Sequence, residues 1–109
     1  MIAERQLKLN DRGGTVDVSV RVFAPEREAR SWSCLYEISW PDGKRTAKAH
    51  GADSTQALLV ALQMIGAELY TSDHHKAGRL IWNEPGRGYG FPVTQSLRDL
   101  LVGDDAKYL

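Results

Sequence analysis

A chain of 109 residues with 42% hydrophobic side chains buries enough surface for one core and not two, so a single domain over residues 1–109 is expected. Lys plus Arg and Asp plus Glu number 14 each, which leaves no global field to draw the chain to nucleic acid, an anionic membrane or an acidic partner. The lone Cys34 excludes a disulfide framework or a cysteine zinc site within one protomer.

Residues Met1 to Arg5 lack the basic start and apolar run of a signal peptide, and the most apolar stretch, Ala57 to Leu62, is too short to cross a bilayer. A cytoplasmic location with no membrane partner is expected. Ile2 to Leu9 mixes apolar and charged side chains and reads as a strand, followed by a turn at Asn10 to Gly14, where residues tolerate positive φ. Val16, Val18, Val20 and Val22 then alternate with Asp17, Ser19 and Arg21, the period of a strand with one buried and one wet face. Ala24 to Ser31 has charges and no period, and is expected to be a solvated connection.

The next strand places Trp32, Cys34, Tyr36, Ile38 and Trp40 on one face. Pro41-Asp42-Gly43-Lys44 supplies a hairpin turn, and the return from Arg45 to His50 puts small Ala47 and Ala49 on one side, leaving room for the large rings. Asp53, with Gln56 three residues on, forms a capping-box pattern, so a helix is predicted from Asp53 to about Thr71. Leu58, Ala61, Leu62, Ile65 and Leu69 make its core stripe, while Leu59, Val60, Met64 and Ala67 widen the apolar arc beyond what one sheet face needs. His74, His75 and Lys76 fall at its C-terminal end before Gly78. Arg79 to Asn83 reads as a fifth strand and Glu84 to Pro92 as a glycine loop. Leu97, Leu100 and Leu101 suggest a short last helix ended by Gly103 and a polar tail. The class is therefore α+β: an antiparallel meander of four to five strands packed against one long helix, with a short C-terminal helix.

Trp32-x-Cys34-x-Tyr36-x-Ile38 followed by Gly51-Ala52-Asp53-Ser54-Thr55-Gln56-Ala57-Leu58 resembles a family of small bacterial proteins classed as a domain of unknown function. The same pattern is similar to small immunity proteins and to the antitoxin partners of some RNA-cleaving toxins. The resemblance implies no catalytic residues.

Chemistry-bearing residues are sparse. Asp73-His74-His75 resembles metal-dependent phosphoesterases in those three letters alone, and adjacent helical histidines point about 100° apart, which does not suit one metal. No metal or other cofactor is expected. His50 near Asp53 has no nucleophile beside it by spacing, and a Cys34 packed among apolar groups would be inert. Arg87-Gly88-Tyr89-Gly90-Phe91 matches the first five positions of the aromatic strand motif of RNA-recognition domains. Pro92 breaks the sixth position, a neutral chain offers little counterion release, and the glycines equally fit a tight loop whose aromatics pack on the core. Gly86-x-Gly88-x-Gly90 lacks the lysine and helix start of a phosphate cradle.

These readings favour a non-enzymatic protein-interaction module, with another protein or a second copy as partner. Its candidate surface comprises Leu59 and Met64 on the helix and Trp82, Arg87, Tyr89 and Phe91 in the loop region. RNA binding through Arg87, Tyr89 and Phe91 is the alternative, and a small enzyme of unspecified reaction a third.

Overall fold

The computed structural model describes residues 1–109. Alternating side chains in Ala3–Asp11 (β1) and Gly14–Val22 (β2) form an antiparallel hairpin that pairs Leu7 with Val18, Arg5 with Val20 and Ala3 with Val22. Glu26–Arg27 (β3) is a two-residue strand inside the segment expected to be a solvated connection. It pairs with the start of Trp32–Trp40 (β4), in line with β2, which pairs with Tyr36, Glu37 and Ile38 further along β4. Gly43–Gly51 (β5) pairs along the whole opposite edge of β4. The result is an open antiparallel sheet of six strands, with Leu80–Ile81 (β6) closing the far side against β1. The strand expected from Arg79 to Asn83 is thus only two residues long.

One face of this sheet is the core. Leu7, Val18, Val20, Val22, Cys34, Tyr36, Ile38 and Ala49 are all buried on it. Val16, at the hairpin tip, is exposed although it keeps the alternation. Ala47 and Ala49 stand opposite Tyr36 and Cys34, whereas Trp32 and Trp40 face Gly51 and Gly43 and remain half-buried at the two ends of β4. The room left by small side chains therefore serves the tyrosine, and glycines serve the tryptophans. On the opposite, solvated face, Lys8 pairs with Asp17, Arg21 with Glu4 and Lys44 with Glu37 across neighbouring strands.

Ser54–Thr71 (α1) covers the β4–β5 half of the core face. Asp53 Oδ1 accepts from the Gln56 amide at 2.7 Å, and Gln56 Oε1 reaches back to the Ala52 amide at 2.6 Å, so the predicted cap forms, one residue off its reciprocal partner. Ala57, Ala61, Ile65, Gly66, Leu69 and Tyr70 are its buried stripe. Ser72 stops the helix, and its hydroxyl caps a separate turn, Asp73–Lys76 (α2). The two histidines therefore belong to a second short helix and not to the end of α1.

The chain after β6 fills the other half of the core face. Tyr89, Phe91, Val93 and Leu101 are buried there. A Cβ at Gly66 would fall on the Pro92 carbonyl, so the glycine lets this segment lie directly against α1. A 3₁₀ turn over Gln95–Leu100 leads to Gly103–Tyr108 (α3). Gly103 thus opens a helix where the sequence suggested a stop. No helix is long and apolar enough to cross a membrane.

Candidate functional site

The most elaborate polar arrangement lies where β1, α2, the glycine loop and α3 meet. Arg5 occupies the inward row of β1, between Ala3 and Leu7, directly opposite Val20. An arginine in a core-facing register is costly unless its donors are matched. Its Nη1 donates to the carbonyls of Tyr89 at 3.0 Å and Gly90 at 3.1 Å, and its guanidinium lies 4.0 Å from the centroid of Trp82 and 5.0 Å from that of Phe91. Burial lowers its pKa from the ordinary arginine value, an effect that the field of Asp105 opposes.

Asp105 holds the same two residues from the other side. Its carboxylate is 2% exposed and accepts from the Tyr89 amide at 2.8 Å, the Gly90 amide at 2.8 Å and the Tyr70 hydroxyl at 2.5 Å. Carbonyls tied to Arg5 and amides tied to Asp105 fix the loop backbone between an inward cation and a buried anion. Glycine is required at this crossing. Gly88 and Gly90 have φ of 90° and 75°, and a Cβ would lie 2.5 Å from Asp105 Cγ at Gly88 and 2.5 Å from Arg5 Nη1 at Gly90.

The network extends outward through two rings. The Tyr89 hydroxyl meets His75 Nδ1 at 2.5 Å, and His75 packs edge-on against both Tyr70 and Tyr89. Burial lowers the His75 pKa, and pushes the Tyr89 hydroxyl up to about 12 and the Tyr70 hydroxyl upward, with the Asp105 hydrogen bond adding to the rise at Tyr70. These groups are held neutral and linked to one another. What the arrangement does chemically is orient the loop.

The candidate surface residues divide sharply. Tyr89 and Phe91 are 4% and 6% exposed, so neither presents a ring face on which a base could stack. Their place in the interaction surface is corrected: both are core, because alternate residues of the loop turn inward over β1 and β2. Trp82 is half-buried under Arg5. Arg87 is exposed, and its guanidinium pairs with Glu84 at 3.0 Å and Asp104 at 3.2 Å. Leu59 is 49% exposed and Met64 partly so, on the outer side of α1. Among the six candidates, Arg87 and Leu59 are thus the exposed ones. His74 stacks on Trp40 at 5.0 Å while His75 turns to the tyrosines, so the paired histidines diverge. Cys34 donates to the Phe23 carbonyl, and burial raises its pKa.

Arg5 and Asp105 were both missed by sequence reading. Arg5 carried a usable signal, since the Ala3-x-Arg5-x-Leu7-x-Leu9 row is otherwise apolar. Asp105 carried none, because nothing local separates it from Asp104. Two cavities flank the network. One, of about 200 Å³, is walled by Ala3, Val20, Val22, Leu62, Phe91 and Pro92 with Arg5 beside them. The other, of about 380 Å³, lies between His75, Trp82, Glu84 and Tyr89.

No curated protein and no solved structure matches the chain. Residues 3–93, which include both strands of the first hairpin, all of α1 and the loop through Val93, match the family described as a domain of unknown function (DUF6968), and the chain belongs to that family.

Proposed function

We propose that this domain is a non-enzymatic interaction module that associates with a second copy of itself through the outer arc of α1. The observation that carries the reading is the absence of charge on that arc. Gln56, Leu59, Val60, Gln63, Met64, Ala67 and Thr71 lie away from the buried stripe, and none is ionisable. The single charged residue of the helix, Glu68, is turned toward the sheet, where it accepts from the Tyr36 hydroxyl and from Arg45 Nε at 2.9 Å. A helix that faces only water normally carries lysine and glutamate on its outer side; this one presents Leu59, Val60 and Met64 there.

A second copy suits such a surface because a two-fold axis sets each arc against itself, and an uncharged arc brings no like charges together. Sedimentation equilibrium across a range of concentrations tests the reading. The expected result is a mass approaching that of a dimer, reverting to monomer in Leu59→Lys, whose circular dichroism stays native and whose melting temperature no longer depends on concentration. A monomer at high concentration would overturn it.

A further inference from the structure

The small groove beside Arg5 combines features that the rest of the surface does not. Apart from Arg5, Glu4 and Gly90 it is lined by Ala3, Val20, Val22, Leu62, Phe91 and Pro92, and its volume of about 200 Å³ equals that of about seven liquid waters. It takes a compact group and not a long chain. Arg5 is the cation at its side. Only Nη1 is engaged by the protein, through the Tyr89 and Gly90 carbonyls; Nε and Nη2 have no partner. Every fully buried side-chain nitrogen and oxygen in the molecule is satisfied, so neither of these two unpartnered donors is fully buried.

No carboxylate competes for them. Arg5 takes part in none of the molecule's ion pairs. The oxygens of Asp105 are occupied by two amides and a phenol, and Glu4, whose residue also borders the groove, is held by Arg21 Nε at 2.6 Å and by Gln6. A guanidinium edge with two free parallel N–H groups matches the two oxygens of a carboxylate. Apolar walls supply no further donors of the kind that a phosphate's additional oxygens would need.

We propose that this groove is a binding site for a small apolar carboxylic acid, its carboxylate on the Nε and Nη2 edge of Arg5 and its hydrocarbon body against Val22, Leu62 and Phe91. The inference goes beyond the self-association reading and does not depend on it. The Arg5 pocket has the character of a specific small-ligand site, in which apolar walls give affinity and one placed polar group gives orientation.

The test is a titration of the full ¹⁵N-labelled chain with sodium 3-methylbutanoate, followed by amide NMR. Its controls are the neutral isostere 3-methylbutanamide, sodium chloride, and a short peptide ending in leucine with a free carboxylate. Saturable shifts at Ala3, Gly90 and Phe91 are expected with the acid, at least tenfold weaker with the amide and absent with chloride. Arg5→Gln should abolish them. Because that change also removes two loop hydrogen bonds, Ala3→Trp serves as the second variant: it fills the groove from an exposed position, leaves the Arg5 bonds intact, and should weaken acid binding at least tenfold without lowering the melting temperature. Equal binding of acid and amide, no saturable shift, or binding of the peptide without the free acid would each overturn the proposal.

Discussion

At the scale of single residues, the Asp105 carboxylate has the largest share in holding the loop. Asp105→Ala would leave two backbone amides and the Tyr70 hydroxyl without their acceptor and remove the anion that offsets Arg5. Hydrogen bonds to a charged acceptor are stronger than neutral ones and costly to leave unmade, so a loss of about 3 kcal/mol is expected in urea denaturation. A loss below about 0.5 kcal/mol, the level of an ordinary surface change, would contradict this role. His75 makes a prediction in pH. Burial holds its folded pKa below the ordinary value of 6.5, so the unfolded chain takes up this proton first as pH falls. The stabilisation is complete above 6.5 and is lost as the pH drops through the lower folded value. Its packing neighbours Tyr70 and Tyr89 stay neutral throughout, since burial raises both. Melting temperatures between about pH 8 and about pH 5 should fall toward acid in the native chain, and His75→Phe should flatten that slope. An identical slope in the variant would place its origin elsewhere.

At the scale of elements, Gly66 sets two tendencies against each other. Helix propensity alone would make Gly66→Ala stabilising by about 1 kcal/mol. The added Cβ would instead strike the Pro92 carbonyl and stand 3.1 Å from Val93 Cγ1, forcing the C-terminal segment off α1. The variant is expected to be destabilised by roughly 1–3 kcal/mol, the usual range for overpacking, and a gain in melting temperature would show that the segment can move aside freely. The contrast explains what was legible in the chain. The valine row of β2, the aromatic row of β4 and the Asp53 cap are local patterns, and each appears where its period or spacing indicates. β3 escaped notice because two residues are too few to show a period, and its pairing with Trp32 and Ser33 comes from the β4 edge left free beyond β2. Gly103 reads as a helix stop, yet α3 begins there with φ of 58°, its amide neighbour Asp104 donating to the Arg87 carbonyl at 2.9 Å. The site was less legible still. In a glycine loop Tyr89 and Phe91 read either as core aromatics or as a displayed surface, and what separates the two is contact with parts of the chain distant in sequence, Arg5 and Asp105 among them.

At the scale of the whole molecule, the two halves of the core face differ in how they are held. α1 covers β4 and β5 with a continuous apolar stripe, while the β1–β2 half is covered by irregular chain fastened through Arg5 and Asp105. The family match ends at Val93, so Arg5, Tyr89 and Gly90 lie within it and Asp105 beyond it. The outer arc of α1 then stands as the extended uncharged surface of a molecule whose solvated sheet face is laced with ion pairs. Self-association through that arc is the central claim. Isotope-filtered NOE spectra of a mixture of ¹³C-labelled and unlabelled chains test it most directly. Intermolecular cross-peaks from the Leu59, Val60 and Met64 methyl groups are predicted; intermolecular peaks confined to other residues, or none at concentrations far above those of ordinary dimers, would contradict it.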